Sequence, residues 1–128
     1  MIGTVSIYTG GILTLLMAGF HIRFPEIFRW GKDYGRISDI NKRIFHTIHL
    51  ALILIFVIIG LLSLFYANEL SQCKGISFGL NLMISIFWLW RTIWQIYYFK
   101  GKTMHFVLIG TFVILFLTYL IPIIQNLI

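Results

Sequence analysis

The chain has 128 residues, 59% of them hydrophobic and 11% charged, with a mean hydropathy of +0.93. Soluble domains carry about 25% charged residues, so a water-soluble globule is excluded, and the formal net charge of +6 points to a membrane surface with no nucleic-acid partner expected. A spanning helix takes roughly 20 apolar residues, which predicts an all-α, polytopic membrane protein: one four-helix transmembrane domain over residues 1–128.

The first predicted span covers residues 4–30. Its apolar run ends in HIRFPEIFRW, residues 21–30, where charge first appears. No basic leader or A-x-A-like cleavage site precedes it, so a retained helix is expected, not a signal peptide. Pro25 has no N–H for the His21 carbonyl four residues back, and a bend is predicted there. Phe28 and Trp30 suit an interfacial aromatic belt, and Arg23 and Arg29 can snorkel toward head groups.

GKDYGRISDINKR, residues 31–43, is the one hydrophilic segment. The second span is predicted over 44–67. A turn-forming link with Asn68 and Gly75 fills 68–75, and the third span runs over 76–99. KGK, 100–102, makes the tightest turn before the fourth span at 103–126. Period-two alternation is absent, which argues against a β-barrel.

Nine of the ten Lys and Arg belong to the side holding the 31–43 and 100–102 loops; only Lys74 belongs to the other. Positively charged short loops stay cytoplasmic. Both termini are therefore expected on the non-cytoplasmic side of the cell (inner) membrane. Cys73, the sole cysteine, excludes an internal disulfide. It falls in the outer link, where an impermeant thiol reagent is expected to reach it.

The four histidines all fall toward the basic side. At 1.5 Å rise per residue, His49 is about 10 Å of helix inward from Lys42, while His21 and Arg91 are each about 13 Å inward from Trp30 and Lys100. His46 and His105 are shallower, about 5 Å from their flanking lysines, in a tier with Gln95 and Glu26. Heptad spacing gathers Gly10, Thr14, Met17 and His21 on one stripe of the first span. His46, His49, Phe56, Gly60 and Ser63 share a stripe of the second; Asn81, Ser85, Trp88, Thr92 and Gln95 share one of the third, with Arg91 at its edge. Small and polar stripes are what buried membrane helix faces use. The fourth span leaves two stripes open: His105, Leu108, Phe112, Leu115 and Tyr119, or Thr111 and Thr118.

An intramembrane arginine needs a partner, an aqueous cavity or an anionic ligand, and Glu26 is the expected partner of Arg91. Imidazole suits transition metals and haem iron. His21 and His49, on sequential helices, are candidate axial ligands of a b-type haem, or, with His46 and His105, ligands of a transition metal. Arg91, Arg23 and Lys42 would hold the propionates, and Gly19 and Gly60 would leave space for the macrocycle. The function expected on this reading is electron transfer or redox chemistry at a cytoplasmic-side histidine/arginine cavity. The alternatives are an accessory subunit of a larger membrane complex or a small homo-oligomeric transporter. Hydrolase, zincin and P-loop motifs are absent.

Overall fold

The structure is a computed structural model and describes residues 1–99 and 103–128; the predicted KGK turn lies outside the described residues. Among them it is all-helical, with four helices long and apolar enough to cross a membrane: α1 (Ile2–Ile22), α4 (Asp39–Phe65), α6 (Ile76–Tyr98) and α7 (Thr103–Leu127). Short helices α2 (Phe24–Ile27) and α3 (Trp30–Tyr34) join the first two, and α5 (Ala67–Gln72) joins the middle pair. A lipid bilayer is the surroundings that such a surface of exposed Leu, Ile and Phe requires.

The expected helix over 4–30 is broken into three pieces. Arg23 closes α1 by donating its backbone N–H to the Phe20 carbonyl at 3.0 Å. Pro25 sits in the first turn of α2, where its missing N–H costs nothing. Arg29, with φ of 53°, turns the chain again before α3. α4 begins at Asp39, earlier than the predicted residue 44, because Ser38 Oγ accepts the Asn41 N–H at 3.4 Å and caps it. The predicted turn at Asn68 is instead helix α5. The chain reverses at Cys73 (φ 53°) and Gly75 (φ 55°), and the Asn126 side-chain amide donates to the Cys73 carbonyl at 3.2 Å.

α1 is the hub. It packs against α4 on one side and α7 on the other, and α7 in turn packs against α6. Gly11 and Gly60 permit the close approach of α1 and α4. A Cβ on either would stand 3.1 Å from the carbonyl oxygen of the other, the small-residue contact that lets membrane helices interlock. On the α7 side, Gly10 faces Tyr119, whose hydroxyl lies 2.6 Å from Ser63 Oγ of α4. The inward stripes of α1 and α6 are buried as predicted, from Thr14 and His21 to Asn81 and Gln95. Phe112, Leu115 and Tyr119 form the inner stripe of α7, so this helix shares the interior that the sequence assigned to the other three.

α4 is the least enclosed span, burying only Phe56, Gly60 and Ser63. Its backbone does not pack against that of α6. The two meet through rings, Phe56 against Phe87 and Trp88 at 6.1 and 5.4 Å between centroids. A cleft is left between the two helices, open on the lipid side.

Cys73 is 1% exposed, with its sulfur 3.7 Å from the Asn81 side-chain amide. The expectation that a reagent in water reaches it is therefore corrected. Neighbouring Lys74 is the exposed position.

Candidate functional site

The site is built where the cleft meets the basic end. A cavity of about 360 Å³ lies among the four long helices, with His21 from α1, Phe56 from α4, Trp88, Arg91 and Trp94 from α6, and Phe112 from α7 in its wall. Trp88 is stacked between Phe56 and Phe112, at 5.4 and 5.6 Å, and is 1% exposed. Helical spacing sets these positions. Trp88 and Arg91 are one turn apart on α6, and Thr92 bonds back to the Trp88 carbonyl at 2.8 Å.

Arg91 does not pair with Glu26, as the sequence had suggested. Glu26 bonds Arg23 Nε at 3.0 Å on a face where both side chains are about 70% exposed. The break at Arg23 is the reason: it carries Glu26 out with α2 instead of continuing α1 inward. The Arg91 guanidinium lies over the rings of Phe112 and Phe99, at 4.7 and 5.5 Å. One of its terminal nitrogens is buried without a hydrogen-bond partner among the described residues, and so is the indole nitrogen of Trp88. Both residues line the cavity, and each carries one buried N–H group without an acceptor among the described residues.

His21 contributes the complementary group. Its Nδ1–H donates to the Met17 carbonyl at 2.7 Å, so Nε2 is the free acceptor of the neutral ring. Phe24 stacks on the imidazole at 4.2 Å and Phe56 meets its edge at 5.1 Å. The site offers a positive charge, an indole donor and an imidazole acceptor inside aromatic walls. Such a set can donate to a small acidic or acceptor-bearing group, and the imidazole can accept one proton.

The four candidate histidines occupy three places. His21 and His49 are neighbours, 6.5 Å between ring centroids. His46 is exposed and lies 3.5 Å from the Tyr34 hydroxyl. His105 accepts from the Gln95 side-chain amide at 3.1 Å, within the shallow tier that the sequence predicted. Among the described residues no three of His, Cys, Asp and Glu gather as a metal site. Of the three proposed propionate ligands only Arg91 lines the cavity; Arg23 pairs with Glu26, and Lys42 with Asp39 at 3.6 Å. Gly60 is filled by its approach to α1, while Gly19 faces open space.

No known protein family, curated protein or solved structure matches this chain. Function must be read from the cavity itself. The residue that sequence reasoning missed is Trp88, placed on the inner stripe of α6 as packing. Its neighbour Arg91 one turn on was the available signal.

Proposed function

We propose that this is a membrane-embedded binding protein whose cavity receives the anionic head of an amphiphile. The observation that carries the reading is a buried Arg91 nitrogen with no partner among the described residues, one turn from Trp88, whose indole nitrogen also has none among them. Buried donors cost stability until an acceptor arrives, and an anion satisfies both the hydrogen bonds and the charge. In this reading the protein lies in the cell (inner) membrane with both termini on the non-cytoplasmic side. The skew of nine of ten Lys and Arg to one side supports that orientation. The cavity then opens in the cytoplasmic leaflet.

Orientation is checked with a Cys73→Ala, Lys74→Cys variant, which moves the thiol from a buried to an exposed position. An impermeant maleimide applied to intact cells should label it fully; labelling only after lysis would invert the protein.

Binding is checked through tryptophan emission. Trp88 lines the cavity and is 1% exposed, whereas Trp90 and Trp94 are about half exposed to lipid, so a Trp30→Phe, Trp90→Phe, Trp94→Phe background reports on the cavity alone. In phosphatidylcholine nanodiscs, a stearate carrying a nitroxide near its carboxyl should quench this emission saturably, and Arg91→Gln should weaken binding at least tenfold. Quenching that rises linearly and equally in both proteins would end the reading.

A second reading, a b-type haem or metal held by His21 and His49 for redox chemistry, has one observation in its favour. Their 6.5 Å centroid separation is near that of two imidazoles bound on opposite sides of one metal at about 2.0–2.1 Å each. Phe24, stacked on His21, would have to move aside for a macrocycle. A Soret band in protein drawn gently from its native membrane, lost in His21→Ala, would establish it.

A further inference from the structure

The cavity is the first of three hollows in line. A second, of about 260 Å³, is walled wholly by apolar side chains of α4 and α6, among them Ile59, Leu62, Leu80 and Met83. It shares Phe87 with the first. A third, of about 170 Å³, shares Leu62 and Leu80 with the second and reaches Glu69 and Leu70 of α5. Phe87 stands between the first two, with the Phe56 ring of α4 6.1 Å from it. From Arg91 to Leu80 the groove follows about 16 Å of helix. Its wall between Arg91 and Leu80 carries no other charge, and Glu69 stands at the far mouth.

From this arrangement we infer that the cleft between α4 and α6 is the seat of a single-chain carboxylate amphiphile: a free fatty acid with its head on Arg91 and its chain along Phe87 and Met83. The inference rests on the binding function proposed above and names its ligand class. Three features select it. A planar carboxylate meets a guanidinium through two parallel hydrogen bonds, and Arg91 has a nitrogen to spare. Arg91 also lies about 10 Å of helix inward from Tyr98, where α6 ends. Its partner must therefore be small enough to be drawn beneath the head groups. Finally, between α4 and α6 the hollows run in single file, while the apolar hollow of about 260 Å³ that adjoins the cavity at Met17 lies between α1 and α7 and is the rival seat that the test separates. The cleft is open on its lipid side because these two helices do not pack together, so the ligand arrives sideways from the bilayer. Chain burial adds little affinity there, because lipid is as apolar as the groove. The head supplies the affinity and the groove supplies the shape selection.

The test is photolabelling in nanodiscs with palmitate bearing a diazirine at its terminal carbon, read by mass spectrometry of the adducts. Adducts are expected on Ile59, Leu62, Leu80 or Met83. They should be suppressed by excess palmitate but not by dioleoyl phosphatidate, and reduced about tenfold by Met83→Trp, which overfills the groove. Adducts between α1 and α7, or saturable quenching at the cavity tryptophan with no competable adduct, would overturn the groove while leaving the head site standing. Suppression by phosphatidate as effective as by palmitate would make the occupant a two-chain lipid and overturn the single-chain assignment. Loss of both quenching and adducts would remove the binding function itself.

Discussion

Arg91→Leu is expected to make the ligand-free protein more stable and to abolish binding. Placing an arginine in the membrane costs about 2.5–3.5 kcal/mol by the mildest scale. The faces of Phe112 and Phe99 return about 0.5–2 kcal/mol of it. The residue therefore carries a net cost, and its removal should raise stability by about 1 kcal/mol, measured by dodecyl sulfate unfolding in bicelles. The sequence pairing with Glu26 implied the opposite sign, because a partner would have been left behind. Binding moves the other way. Removing one side of a buried charge pair costs about 2–5 kcal/mol, so affinity for a carboxylate amphiphile should fall by a factor on the order of a hundred. A variant less stable than the parent in the absence of ligand would show that Arg91 already has a structural partner.

Gly60→Val should be the most damaging small substitution in the bundle. Its new Cβ would stand 2.5 Å from Leu15 Cγ and 3.1 Å from the Gly11 carbonyl oxygen. The carbonyl belongs to a helix and cannot give way alone, so α1 and α4 must separate. Overpacking of this kind costs about 1–3 kcal/mol, and it also draws Ser63 away from the Tyr119 hydroxyl. Gly19→Ala is the control. Nothing lies within 4 Å of that site, and replacing an exposed helical glycine gains up to about 1 kcal/mol. Equal unfolding midpoints for the two variants would show that α1 and α4 do not interlock.

Much of this bundle was legible in the chain because burial in a membrane leaves a periodic trace. Thr14, Met17 and His21 recur at steps of three and four, as do Ser85, Trp88, Thr92 and Gln95, and all are buried. Span lengths followed from bilayer thickness. Local breaks were harder. A charged helix end and a chain that turns twice, at Arg23 and Arg29, have nearly the same composition, so the route of Glu26 was hidden. Ser38 as a cap was readable in principle but lay inside a segment taken as loop. Lateral order was not readable at all: nothing in the period of α4 or α6 says that they stand apart. The hint was the all-round hydrophobicity of α4, since a helix apolar on every side meets lipid on most of them. The structure brings His21 and Arg91 to one cavity and sets His49 beside His21. His21, His49 and Arg91 were at matching depths by arithmetic along each helix, whereas Arg23, Lys42, His46 and His105 depended on directions that only the packing sets.

The position of α1 at the hub also dictates an order of assembly. It is made before the other three spans, and its α4 partner follows soon after, but the face that carries Gly10 and Thr14 waits for Thr118 and Tyr119 of α7, about a hundred residues further on. At about 5–20 residues per second that delay is on the order of 5–20 s. Throughout it, the unfinished face must rest against lipid. Its hydroxyls are suited to the wait. Thr14 bonds the Gly10 carbonyl of its own helix at 2.7 Å, and Ser6 bonds the Gly3 carbonyl at 2.8 Å. Neither needs the late helix to be satisfied. What α7 brings on arrival is shape: the Tyr119 ring settles against Gly10 and its hydroxyl reaches Ser63 on α4. The latest of the four spans to be synthesised is thus the one that ties the earlier pair, α1 and α4, together.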